Sequence, residues 1–214
     1  MHDKFDIVVQ DLALCRSCGG VFGVFGEESH GYELNPPLSE DDVLAFEGAY
    51  GVRLPNDYRL FITRVGNGGA GPYHGMFKLG EMDDGFDFAP WGDFVGQLSA
   101  PFRHADAWND LTGMPDRNDM NEDAYEAFEQ RYYDTRLVDG AIPICHLGCA
   151  LRQWLVITGS EDGNVWGDDR ADHKGLYPLR ATAHDRLRFF EWYRSWLDEV
   201  LARLDLWKKN SEAK

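Results

Sequence analysis

The residues best able to do chemistry in this chain are its four cysteines. Cys15 and Cys18 have knuckle spacing, and Cys145 and Cys149 flank His146, so four thiolates drawn from both pairs could close a tetrahedral zinc site. Such a site would staple the N-terminal segment onto a later part of the chain. The competing readings are a redox pair and ordinary buried or incidental thiols. The last is favoured, and no metal is assigned, because the second pair has three residues between its thiols. Gly66-Asn67-Gly68-Gly69-Ala70-Gly71 fits G-x-G-x-x-G, which cradles a pyrophosphate when a strand precedes it and a helix follows. Here a helix pattern precedes it and Pro-Tyr-His-Gly follows, so it is expected to be a helix stop and turn. No H-E-x-x-H, G-x-S-x-G or P-loop occurs, the seven His are scattered, and the carboxylates are too numerous to single out a catalytic pair. The expectation is a protein with no enzyme activity and no cofactor.

Charge is the stronger signal. With 37 Asp and Glu against 21 Lys and Arg, the formal net charge is −16, which argues against nucleic acid or an anionic membrane as partner. A basic protein would be attracted instead, and a nuclease must carry a basic cleft for its phosphodiester substrate. Three acidic clusters could meet such a partner. They are Glu81, Asp83, Asp84, Asp87 and Asp93; Asp116, Asp119, Glu122 and Asp123; and Glu161, Asp162, Asp168 and Asp169. Phe86, Phe88 and Trp91 lie beside the first and could supply apolar burial. The residues assigned to partner binding are Asp83, Asp84, Asp87, Trp91, Glu161, Asp162, Asp168 and Asp169. The plainer alternative is solvated loops over a core. Calcium is a weaker one, because no cluster has the ordered D-x-[DN]-x-[DN]-G spacing.

The elements that position these residues follow from periodicity. The 214 residues, 43% hydrophobic and 14% aromatic, suit one globular domain. No apolar run reaches the length of a membrane span, and the N-terminus lacks a basic region before its apolar residues, so a cytoplasmic protein is expected. Phe5–Val9 has strand character. Ser39 and Asp42 form a capping box for a helix with Val43, Phe46, Ala49 and Tyr50 on one face, stopped by Gly51. A second helix starts at Leu54-Pro55, carries Tyr58, Phe61, Ile62 and Val65, and runs out in Gly66-Asn67-Gly68-Gly69. Met76–Leu79 reads as a short strand. A third helix is capped by Asn121, lined by Tyr125, Phe128 and Tyr132, and closed by Asp139-Gly140. The period then changes: Ile142–Ile144, Trp154–Thr158 and Asn164–Trp166 are strand-like, with a five-residue hairpin connection, 159–163. A long helix from Ala183 to about Trp207 closes the chain. Helices, strands, then a helix, with a connection too short for a crossover, predict an α+β fold with an antiparallel sheet.

These residues and their spacing resemble the SUKH superfamily, the Smi/Knr-type proteins. The matching positions are Phe46-Glu47, Gly51, Leu54-Pro55, Asp57-Tyr58, Phe61 and Asn67-Gly68-Gly69, then Ile142-Pro143-Ile144, Gly148-Cys149, Leu155-Val156, Gly159, Gly163 and Val165-Trp166. The resemblance spans roughly residues 38–180. It implies a curved, mainly antiparallel sheet flanked by helices, within a single domain over 38–207. An N-terminal extension of 1–37, an inserted segment around 95–135 and a polar tail of 208–214 would lie outside the motif set. It further implies an immunity protein that binds and neutralises a cognate polymorphic toxin, often a nuclease. The alternative is a non-enzymatic scaffold or regulatory module without a toxin partner, as in the yeast members that act in regulation of cell-wall synthesis.

Overall fold

A computed structural model describes residues 3–19, 22–81, 95–116 and 121–212. The helices are α1 (Lys4–Ser17), α2 (Glu27–His30), α3 (Glu40–Tyr50), α4 (Asn56–Arg64), α5 (Glu122–Tyr132) and α6 (Phe189–Glu212). The strands β1 (Ala141–Gly148), β2 (Leu151–Val156), β3 (Val165–Asp168) and β4 (Leu176–Pro178) form one antiparallel sheet in the order β1-β2-β3-β4. The fold is α+β.

The helix pair forms as its sequence dictates. The Ser39 and Asp42 side chains cap each other's backbone, and Gly51 stops α3 at φ +65°. Tyr58, Phe61, Ile62 and Val65 are all buried. The inner face of α3 is different from the expected stripe. Ala49 and Tyr50 are exposed, and Glu47 is buried beside Val43. Glu47 accepts a hydrogen bond from the Leu54 N–H at 2.9 Å and pairs with the Arg59 guanidinium at 3.0 Å, so it fastens the joint between the two helices.

Beyond α4 the chain turns back so tightly that side chains are excluded. Gly68, Gly69 and Gly75 have φ of +79°, +97° and +100°, and a Cβ on Gly69 would lie 2.5 Å from the Glu33 carbonyl oxygen. Single bridges then run Leu34–Gly69–Met76–Cys145, joining residue 34, the glycine turn and β1 edge to edge. Met76–Leu79 is therefore no strand in its own right; Met76 alone enters this ladder.

Two other expectations are corrected. Phe5–Val9 is helical. Asp3 caps α1 through the Phe5 N–H, and Phe5, Val8, Leu12 and Cys15 are buried at helical spacing. The β-branched pair Val8-Val9 suggested a strand, but contacts with α6 decide the conformation. Phe5 meets Phe190 edge-on at 5.3 Å, and Asp11 pairs with Arg194 at 2.6 Å. The last helix starts at Phe189, not Ala183, because the chain bends over 181–184 so that Arg180 bridges Arg186, and Arg188 then bridges Asn164. α5 also ends earlier than expected, at Tyr132, and a 3-10 turn over Thr135–Val138 precedes Gly140. Tyr125 is exposed, while Phe128 and Tyr132 are buried.

The sheet is covered on both faces. Trp154 and Trp166, opposite each other, lie on the side of Phe102, which meets Trp166 at 4.9 Å. Gln153 looks the other way and accepts a hydrogen bond from Trp192 Nε1 of α6 at 2.9 Å. α1, α6 and the sheet share one core. Leu12→Ala, in the middle of α1, is expected to cost roughly 2–5 kcal/mol in urea unfolding, as for a core leucine and unlike a peripheral appendage.

Candidate protein-binding surface

The acidic residues assigned to a partner have divergent fates. Asp83, Asp84, Asp87 and Trp91 lie outside the described residues. Asp168 is 5% exposed and forms a bidentate pair with Arg170: Oδ1 accepts from Nε at 2.8 Å and Oδ2 from Nη2 at 2.7 Å. Its Oδ2 also accepts from Trp154 Nε1 at 3.0 Å, tying β3 to β2. Glu161 is 9% exposed and accepts from Trp166 Nε1, while pairing with Arg186; both distances are 3.2 Å. These two carboxylates are internal fasteners, because two charges taken out of water are tolerated only when paired and hydrogen-bonded. Asp169 is half-buried and accepts from the Tyr177 hydroxyl at 3.0 Å. Asp162 alone of the four is exposed. It borders an open cleft of about 740 Å³ with Leu44, Arg53 and Thr158. Burial against the cleft pushes its pKa up, Arg188 opposes this, and Asp57 adds to it.

The structure does not bring the four cysteines together. Cys15 is in the core, where burial pushes its thiol pKa up to about 11. Cys145 is buried, its pKa raised by burial, with its Sγ 3.0 Å from the Pro72 carbonyl oxygen. Cys149 is exposed in the β1–β2 turn, at φ +52°. Among the described residues no three His, Cys, Asp or Glu side chains gather where they could hold a metal ion.

A groove of about 530 Å³ lies between α6 and the chain around Tyr73. Trp192 and Trp196 of α6, Gln153 of β2 and Leu179 line it. Phe25 is 64% exposed at its mouth, edge-on to Tyr73 at 6.1 Å and to His74 at 5.3 Å. Tyr73 has φ +54°, a conformation costly for a bulky residue, and is 36% exposed.

The loop bearing Phe25 is held in place. Buried Glu27 accepts from the Gly23 and Val24 N–H groups at 2.8 and 3.2 Å and from the Tyr32 hydroxyl. Burial alone would push the Glu27 pKa up, but these hydrogen bonds together hold it below the usual carboxylate range. Arg203 donates to the Gly23 carbonyl at 2.6 Å. His30 lies beneath, its Nδ1 accepting from the Tyr32 N–H at 3.0 Å and its ring edge-on to Trp196 at 5.7 Å. Burial pulls the His30 pKa down to about 4, against an opposing effect of Glu27, with His74 adding to the fall.

Sequence reasoning did not single out Phe25 or Tyr73. The available signal was their setting, Gly23-Val24-Phe25-Gly26 and Gly71-Pro72-Tyr73-His74-Gly75: aromatic residues in glycine turns have no helix or strand stripe to join.

With this geometry in hand, comparison with protein families finds that the model described as the SMI1 / KNR4 family (SUKH-1) matches residues 37–182. Neither the curated proteins nor the solved structures give a match.

Two measurements check the assignment of internal charges. Asp168→Asn should lower stability by roughly 3–5 kcal/mol, whereas exposed Asp162→Lys should change it by less than about 0.5 kcal/mol, both by chemical denaturation. His30 binds its proton more weakly folded than unfolded. Its contribution is therefore complete above the unfolded pKa of 6.5 and is lost as pH falls from there towards about 4. The loss is on the order of 2–3 kcal/mol. His30→Asn, which keeps an acceptor for Tyr32, should flatten the stability profile in that window.

Proposed function

Because the chain belongs to the SMI1/KNR4 family (SUKH-1), we propose that it is an immunity protein, acting by stoichiometric binding of a cognate toxin protein and not by catalysis. The observation that carries the reading, beside the family, is the groove flanked by Phe25 and Tyr73. Exposed aromatic residues around a well-packed concavity are the usual seat of binding energy between proteins. The net charge of −16 adds a second property, an acidic field that hastens capture of a basic partner. A nuclease toxin, basic because it must hold phosphodiesters, suits that field best. Asp162, Asp169 and the acidic stretch containing Asp83, Asp84, Asp87 and Trp91 are the proposed acidic contacts. Glu161 and Asp168 support the partner surface only through the fold.

The test is to look beside this chain's gene for an encoded polymorphic toxin domain and to co-express the two. Growth should be restored and a one-to-one complex recovered. Toxicity that persists, with no complex, would overturn the reading in favour of a scaffold or regulatory role. Where the complex forms, its association rate should fall on the order of tenfold or more from low to high salt, because the field that steers encounter is screened.

A further inference from the structure

The groove at Phe25 is made by two kinds of chain. Residues 37–182, which match the family, contribute Pro72, Tyr73, Gln153, Leu179 and Arg180. Gly23 to Phe25 and the α6 residues Trp192, Trp196, Glu199 and Arg203 come from segments outside that match. These outer segments are bonded to each other independently of the sheet: Arg203 holds the Gly23 carbonyl, and Phe22 packs edge-on to Trp207 at 5.8 Å. Residues inside the family match and residues outside it thus share the groove, and its aromatic anchor Phe25 lies outside the match.

Two features of the groove call for a ligand of particular chemistry. Trp196 is only 8% exposed, and its indole N–H has no acceptor among the described residues, although a buried donor left unpaired is costly. The neighbouring Trp192 N–H, by contrast, is satisfied by Gln153. The second feature is charge. In a chain with 37 acidic and 21 basic residues, this groove carries two arginines and one glutamate. Arg203 is already committed to Glu199, at 2.8 Å, and to Gly23. Exposed Arg180 donates to the Ala183 carbonyl, and no carboxylate among the described residues pairs with it.

We infer that this groove takes an extended segment of the partner protein that seats an apolar or aromatic side chain beside Phe25 and Tyr73, offers a backbone carbonyl to Trp196 and turns a carboxylate towards Arg180. The inference rests on the immunity reading for the identity of the partner. It places the choice of partner in the 22–26 loop and α6, while the acidic field elsewhere governs the rate of encounter. A protein segment suits the lining, because tryptophan, tyrosine and arginine are the residue types that concentrate binding energy in protein interfaces.

The test uses the full chain and the toxin domain identified by the co-expression experiment, with dissociation constants from titration calorimetry and a thermal melt of every variant. Phe25→Ala should weaken binding by about tenfold or more with an unchanged melt, since the side chain is solvent-exposed. Arg180→Glu should weaken it to a similar degree. Trp196→Phe removes the unpaired donor together with part of a ring packed against His30, Tyr32 and Tyr193, so the free protein should melt somewhat lower; binding, measured well below that melt, should still weaken by about five- to tenfold. Tyr125→Ala, on the exposed side of α5, should bind as wild type. A wild-type complex that Phe25→Ala, Arg180→Glu and Trp196→Phe all leave unchanged overturns the groove assignment alone. Absence of any wild-type complex overturns the immunity reading, and the groove's occupant with it.

Discussion

The contact on which the structure most depends is the one across Gly69. Gly69 and Met76 exchange backbone hydrogen bonds at 2.9 and 2.7 Å, Ala70 donates to Glu33 at 2.6 Å, and Phe77 donates to Ile144 at 3.1 Å. Three stretches of chain distant in sequence are thereby zipped together without a regular strand. The zip closes only because no side chain intervenes at Gly68, Gly69 or Gly75. It determines where the α3–α4 pair sits relative to the sheet. It also forces the tight excursion through Pro72 and Tyr73, and so lifts the Tyr73 ring to the mouth of the groove. The G-x-G-x-x-G spelling at this place reflects backbone closeness to backbone, not to phosphate.

Charge in this protein does two separate jobs. Carboxylates such as Asp168, Glu161, Glu47 and Glu27 are buried, and each is satisfied by several donors. Their partners include tryptophan indoles, arginines and backbone N–H groups, so removing any one exposes the others to a penalty of kcal/mol size. The many exposed carboxylates are worth little individually to stability. Their sum is a long-range field, and a field selects by sign and not by shape. Such a field cannot by itself discriminate between similar basic partners; on the proposed reading, close contact at the aromatic groove does so.

The parts legible in the sequence were those decided locally. The Ser39–Asp42 cap, the Gly51 stop, the buried stripe of α4, the Asn121 cap and the β2–β3 hairpin each depend on residues a few positions apart. Misreadings arose where distant contacts decide. Phe5–Val9 looks like a strand until α6 is there to receive Val8 and Leu12. Glu161 and Asp168 look like surface charges because Arg186 and Trp154, which bind them, are not sequence neighbours in any recognisable pattern. Phe25 is the reverse case, an aromatic residue that composition would place inside and the glycine turns hold out in solvent.

The most direct measurement is backbone hydrogen exchange of the chain alone and in complex with the toxin domain proposed as its partner. The account predicts new protection concentrated at residues 22–26, 72–75 and 179–181, the three stretches that converge on the groove. Protection confined to the cleft around Asp162, with exchange at Phe25 and Tyr73 unaltered, would contradict it.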